Sequence, residues 1–325
     1  MLKKLSACAA ALGLALAVAP PRAQAQEYPA HTVRILVGYA AGSGTDFTAR
    51  AVAEGLHKAF NESFIVENHP GASGTLAAEL LAKAPNDGYT VAVSGGAAFV
   101  INVYISPKPS YDTLRDFTPI TRLVLNDAVL LVNKDLPAKN LPELIDLIRK
   151  SPGKYAIGSS GGGTQTHLAV VDLAKMTGIQ ITDVAYPGGD AKGAVDVMGG
   201  HIPIYLAALV SVAGPMRSNQ VRAVAALGSQ RFADFPDVPT AVESGYPNFV
   251  VQTWLGFLGP AGMRKDVVDR LNRAAREAMA DPQLVKVLRS QGSNVATDTP
   301  EEFAQSIRAD LKKYGDMVPA MNLSQ

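Results

Sequence analysis

The chain has 325 residues, 47% hydrophobic and 18% charged, which is enough to bury a large core without covalent staples. Its 30 Lys and Arg nearly balance 29 Asp and Glu, which removes the electrostatic case for nucleic acid or an anionic membrane surface as partner. Cys8 is the only cysteine, which excludes a disulfide or a thiolate zinc site.

Residues 1–25, MLKKLSACAAALGLALAVAPPRAQA, read as a secretory signal peptide: Lys3 and Lys4 start it, Ser6 to Ala19 form the apolar region, and Ala23-Gln24-Ala25 sets cleavage after Ala25. The apolar run is too short for a membrane span and stops at Pro20-Pro21. A lipoprotein box at Leu5-Ser6-Ala7-Cys8 is the alternative, but it would leave no apolar region ahead of the cut. Export without mature cysteines suits the bacterial periplasm. The length of residues 26–325 predicts two lobes.

Short apolar runs then alternate with amphipathic stretches, the pattern of parallel α/β layers. Strand Val33 to Val37 leads through a Gly-rich loop to helix Asp46 to Phe60, where Phe47, Val52, Leu56 and Phe60 mark the apolar face and Arg50, Glu54 and Lys58 a charged row. Strand Phe64 to Glu67, helix Leu76 to Lys83 and strand Thr90 to Val93 follow. Pro119 to Val124 breaks the rhythm, which predicts a lobe boundary near residues 118–128. The second series holds strands Val129 to Val132, Tyr155 to Gly158, Thr182 to Ala185, Ile202 to Leu206, Val221 to Ala226 and Phe249 to Phe257, with helices Leu141 to Lys150 and Thr166 to Met176. Trp254 to Pro260 is where the chain is expected to cross back, before helices Lys265 to Ala280 and Pro300 to Met317. Lobe 1 is therefore expected at residues 26–122 plus 254–325 and lobe 2 at 123–253, with a cleft between. Pro and Gly clusters such as Asn68-His69-Pro70-Gly71 and Pro187-Gly188-Gly189 supply the turns.

The loop VGYAAGSGTDFTAR, Val37 to Arg50, joins a strand to a helix that Ser43 or Thr45 can cap. Free N–H groups of the first helical turn, the helix dipole and close-approach glycines together make an anion site suited to carboxylate or phosphate. YAIGSSGGGTQTHLAVVDLAKM, Tyr155 to Met176, repeats the arrangement in the second half, and Ser94-Gly95-Gly96 is a weaker third instance. Two such loops, one per lobe, could face each other across the cleft.

Enzyme readings of these loops fit less well. Gly158-Ser159-Ser160-Gly161-Gly162 matches G-x-S-x-G, which would make Ser160 the nucleophile of a serine hydrolase, but no histidine follows His201 and His167 lies on the loop's own helix. A dinucleotide fingerprint fails because Phe47 and Thr166 stand where a third glycine belongs, and neither loop has the Gly-Lys-Ser/Thr of a P-loop. His31, His57, His69, His167 and His201 show no metal-ligand spacing, so neither metal nor cofactor is expected.

These segments, with VENHPGASGTLAA, PNDGYT, DFTPITRL, VAYPGGDAKGAVDVMGG, FPDVPTAVESGYP and WLGFLGPAGM in the same order, resemble the periplasmic solute-binding receptors of tripartite tricarboxylate transporters, the Bordetella uptake gene family. The resemblance implies a type II periplasmic binding protein fold, two α/β lobes joined by two crossing strands and closing on an organic acid. It implies no catalytic residue, a monomer, and transient docking to integral-membrane transporter subunits. First-lobe contacts would come from Ala41, Gly42, Ser43, Gly44, Thr45 and Asp46, and second-lobe contacts from Ser159, Ser160, Gly161, Gly162, Gly163, Thr164 and His167, with Ser94, Gly95 and Tyr186 as weaker candidates. Asp46 would repel an anion and is expected to cap its helix or orient Thr45. His167 either donates to a carboxylate or packs against backbone. Ser43 stands where the family often has glycine, adding a hydroxyl and narrowing the loop. Tyr205-Leu206-Ala207-Ala208 carries no acid to pair with an ammonium, which favours a non-amino mono- or dicarboxylate, aromatic acids included. A ligand sensor for a membrane signalling partner would use the same fold and cleft.

Overall fold

The structure, a computed structural model, describes residues 28–105, 110–161, 164–186 and 190–318. The expected signal peptide, the turn at 187–189 and the candidate contacts Gly162 and Gly163 lie outside these residues.

The first lobe opens with β1 (Val33–Val37), α1 (Gly44–Phe60), β2 (Phe64–Asn68), α2 (Thr75–Ala82) and β3 (Thr90–Gly95). A π-helical turn, Ala97–Ile101, runs on into α3 (Asn102–Ile105), and α4 (Thr113–Asp116) precedes the long strand β4 (Phe117–Asn133). The second lobe holds α5 (Leu141–Arg149), β5 (Ala156–Ser159), α6 (Gln165–Thr177), β6 (Thr182–Ala185), α7 (Asp190–Met198), β7 (Ile204–Ala208), α8 (Leu209–Arg217) and β8 (Val221–Ala226). The chain returns through β9 (Gln252–Pro260) to α9 (Lys265–Met279), α10 (Pro282–Ser290), β10 (Ser293–Val295) and α11 (Pro300–Met317).

The strands connect in the order β2-β1-β3-β9-β4-β7-β5-β6, with β8 and β10 also on β4. β1 is parallel to β2 and β3, and β5 is parallel to β6 and β7, so each lobe carries its own βα core. β4 joins the lobes: Phe117 to Asp127 pairs antiparallel with β9, and from Ala128 the same strand pairs with β7. The stretch expected to interrupt the rhythm is thus continuous strand, and its irregularity survives as register shifts at Pro119/Thr121 and Arg122/Val124. Proline lacks the N–H that a regular ladder needs, so the break falls in the pairing and not in the strand.

The core is built on both sides of the connection. Val33, Ile35, Val52, Leu56, Phe257, Leu271 and Met279 share one cluster, so α9 packs on the first lobe. Leu36, Phe99, Trp254, Phe303 and Tyr314 form another, which seats α11 on the same lobe and also admits Leu168 from α6. Leu130, Leu144, Ile157, Leu173 and Phe249 fill the second lobe's core. In α1 the buried face is Ala49, Val52, Ala53 and Leu56, a run of i, i+3, i+4, i+7 spacing, while Phe47 is exposed. Phe47 lies about 140° around the helix from Val52, off that stripe. The charged row resolves into two pairs, Arg50 with Asp46 and Lys58 with Glu54.

Candidate functional site

β1, β3, β5 and β7 all end at one region between the lobes, the place where open α/β sheets bind ligands. A cavity of about 280 Å³ lies there. Lobe 1 lines it with Tyr39, Thr45, Ser73, Gly95, Gly96 and Ala97; lobe 2 with Ser160, Thr164, Gln165, Thr166, Asp190 and Ala208; the crossing strands with Asn126, Thr253, Trp254 and Leu255. The helices α1, α6, α7 and α8 begin at this wall, so their dipoles turn positive ends toward it. Among the described lining residues there is no Lys, Arg or His, and Asp190 is the one acid.

In the first loop Ser43 is the N-cap of α1, its hydroxyl accepting the Asp46 N–H at 3.2 Å. Asp46 is 4% exposed and its carboxylate is engaged within the lobe: it accepts the Gly42 N–H, Arg50 Nε and Asn68 Nδ2, each at 2.9 Å. The Arg50 guanidinium first, then Gly42 and Asn68, hold its carboxyl down at about 2 against the opposing effect of burial. It thereby fixes the loop, whose Gly42 adopts φ 81. Ala41, Gly42 and Gly44 are exposed on the loop, and Thr45 alone of the first-loop candidates lines the cavity. At the end of β3, Gly95 lines it under the Tyr39 ring, while Ser94 is fully buried behind, with no hydrogen-bond partner for its hydroxyl among the described residues.

In the second loop Thr164 caps α6, accepting the His167 N–H at 3.3 Å and donating to the Gly161 carbonyl at 2.7 Å. The Ser160 N–H donates to Thr166 Oγ1 at 3.2 Å, and the Thr166 hydroxyl donates to Ser160 Oγ at 3.0 Å. Ser160 and Thr164 line the cavity; Ser159, Gly161, His167 and Tyr186 stand behind it. Ser159 donates to Asp183 at 3.0 Å, and His167 Nε2 lies 3.3 Å from the other oxygen of the same carboxylate. Burial pushes the Asp183 carboxyl up, with His167 opposing it. Tyr186 packs edge-on against Tyr205 at 5.4 Å. The Ser160 hydroxyl donates to Asp190 and His167 faces Asp183, so the two are not arranged as nucleophile and base.

Asp190 overturns one premise drawn from the sequence. Tyr205 to Ala208 contains no acid, but Asp190 at the start of α7 reaches over: its Oδ2 accepts the Ala208 N–H at 3.0 Å, and its Oδ1 accepts the Ser160 and Tyr205 hydroxyls. Chain separations of 18 and 30 residues keep this pairing out of any local motif. The ring of Tyr205 reaches Asp190 because it lies against Gly193, where a Cβ would sit 2.0 Å from Cε2. Trp254 was also absent from the sequence candidates. Its ring closes the cavity beside Gly96 and is held by a 2.8 Å bond from Nε1 to Asp310 of α11 and by edge contact with Phe303. Gln165 spans the lobes, donating to the Gln252 carbonyl and to the Tyr314 hydroxyl.

Two α/β lobes, two crossing strands and a small cavity lined by helix starts and hydroxyls define a solute receptor of the type II periplasmic binding fold. The sequence profile of the tripartite tricarboxylate transporter family receptor matches residues 48–323, and the chain belongs to that family. It is 30% identical to the protein BugT of Bordetella pertussis (strain Tohama I) over 312 residues, 95% of each chain. Among solved structures it resembles an R. palustris protein with adipate, at 26% identity and TM-score 0.79, covering 91% of this chain and 98% of that one. MatC from Rhodopseudomonas palustris with bound malate is similar at 28% identity and TM-score 0.74, over 90% and 100% of the two chains.

Proposed function

We propose that this protein is a periplasmic receptor that captures a small organic carboxylate between its lobes and delivers it to a tripartite tricarboxylate-type membrane transporter, acting as a monomer and without catalysis. The observation that carries the reading is the cavity at the carboxyl ends of β1, β3, β5 and β7, where helix starts and the hydroxyls of Thr45, Ser160 and Thr164 converge. Partial positive charge from helix ends replaces the missing basic side chains as the source of anion affinity. The relatives bound to adipate and malate support an organic acid as ligand. We take residues 26–122 plus 254–325 as lobe 1 and 123–253 as lobe 2, with export directed by cleavage after Ala25. The candidate contacts then divide by role: Thr45, Gly95, Ser160 and Thr164 touch the ligand, Gly162 and Gly163 are kept as candidate contacts, Ala41 to Gly44, Asp46, Ser159, Gly161 and His167 shape the two loops, and Ser94 and Tyr186 stand behind them. A ligand bridging both loops is held only by the closed form, so it shifts the lobes toward closure. The narrower expectation, a non-amino mono- or dicarboxylate with aromatic acids included, loses its support at Ala208 because Asp190 stands there.

A thermal-shift screen of mono-, di-, tri- and aromatic carboxylates tests the reading. At a ligand concentration near 100 times Kd, stabilisation is about 2.7 kcal/mol, a shift of several degrees. An absence of any shift across the organic acids would refute it.

A further inference from the structure

The charge balance of the cavity narrows the ligand class, and this step rests on the receptor reading above. Among the described lining residues the formal charge comes from Asp190 alone. Every hydrogen-bond partner that Asp190 has in the wall is a donor: the Ser160 hydroxyl, itself accepting from Thr166, and the Tyr205 hydroxyl on Oδ1, the Ala208 N–H on Oδ2, and the Ser211 side chain. The Ala208 N–H can only donate, and the three hydroxyls, which can donate or accept, are turned toward the carboxyl group as donors, which suits the ionised form. Burial pushes the carboxyl up from its ordinary value, and these donors, Ser160 first, oppose that rise.

The position matters as much as the charge. Ala208 is the N-cap of α8 and Ser211 lies in its first turn, so the Asp190 carboxylate already fills the anion place at that helix start. A ligand carboxylate is left with the start of α6 and the lobe 1 side, by Thr45 and Gly95 to Ala97. The far end of the same ligand, lying toward Asp190 and Ala208, meets the one formal charge of the described lining, a carboxylate set against the partial positive ends of α7 and α8. A second carboxylate there would be desolvated beside a like charge with no Lys or Arg in the lining to offset it. An ammonium there gains a charge-assisted hydrogen bond.

We propose that Asp190 is the specificity-determining residue of this cavity, and that the ligand is a carboxylate carrying a cationic nitrogen, an amino-acid-type zwitterion, and not a dianion. The test is calorimetry with pairs matched in length that exchange one carboxylate for one ammonium: succinate against β-alanine, glutarate against γ-aminobutyrate, adipate against δ-aminovalerate, with aspartate and glutamate alongside. In the wild-type protein the best amino acid is expected to bind at least about tenfold tighter than its matched diacid, the worth of one charge-assisted hydrogen bond. In Asp190→Asn that ratio is expected to fall to near one. The amide places an NH2 group among donors and can impair folding; if circular dichroism shows this, the wild-type ratio decides alone. Tighter binding of the diacids, at neutral pH or on acidification, overturns the inference and leaves the receptor reading standing. A preference for amino acids that survives intact in folded Asp190→Asn overturns the assignment to this residue. Silence from every acid overturns the receptor reading and the inference with it.

Discussion

Replacing Asp46 by alanine removes the acceptor that ties Gly42, Arg50 and Asn68 together at 2.9 Å each. The carboxyl is held at about 2 against an ordinary 3.8, which corresponds to about 2 kcal/mol of preference for the ionised form. Arg50 is 55% exposed, so water and salt screen part of its share, and the free Gly42 N–H can turn to solvent. Some of that loss is offset, because the vacated Asn68 amide still donates to the Tyr39 carbonyl at 3.0 Å. The expected net cost of Asp46→Ala at pH 7 is about 1 to 2 kcal/mol. The pH dependence follows from the depressed folded value: the contribution is fully present above the unfolded value near 4 and is lost as pH falls toward 2. Urea unfolding of both proteins at pH 7, 4 and 3 measures it, with the gap in midpoint expected to narrow steadily below pH 4. An equal gap at pH 7 and pH 3, or no gap at pH 7, would refute the assignment of Asp46 as the ionised tie of this loop.

Two further substitutions probe the second lobe and the paired caps. Gly193→Ala drives a Cβ to 2.0 Å from Tyr205 Cε2 in a fully buried setting; it is expected to cost about 3 kcal/mol, more than the roughly 1 kcal/mol gained in helix propensity, and thermal unfolding reads the balance. Ser43→Ala combined with Thr164→Ala removes the N-caps of α1 and α6. The pair is expected to lose about 2 kcal/mol of stability while remaining folded, and to weaken the best acid of the thermal-shift screen through Thr164, which lines the cavity. Unchanged affinity would move the site away from the second loop.

The βα rhythm was readable because strands such as Val33 to Val37, Thr182 to Ala185 and Val221 to Ala226 are short runs followed closely by Gly or Pro, and their limits in the structure are the same. The first half of β4 was hidden by Thr118, Pro119, Thr121, Arg122, Asn126 and Asp127, polar or ring-closed residues that the strand holds buried or half-buried, Thr121 bonded to Asp298 and Asp127 to Gln252 and Asn294. α10 and β10 are short, and β10 is a strand only through its pairing with Val124 to Asn126 of β4, which lies far away in the chain. Both Gly-rich loops could be found because strand, small residues and cap follow one another locally. Asp190 could not, since its meaning depends on Ser160, Tyr205 and Ala208, which only the folding of the second lobe brings to it. The choice of Thr45 over Ser43 as the lining hydroxyl is likewise set in three dimensions: Ser43 caps α1, and Thr45, on the far side of Gly44, faces the cavity.

Trp254 is the only tryptophan of the chain, and it stands in the cavity wall on a strand common to both lobes, its indole fixed by Asp310 and Phe303. The molecule therefore carries one indole fluorophore, excited apart from its tyrosines at the red edge of the absorption band, and carries it at the place where a captured acid would exclude water. Its emission has no background from other indoles, so occupancy and the rate of lobe closure become optical quantities, readable in the unmodified protein by stopped flow.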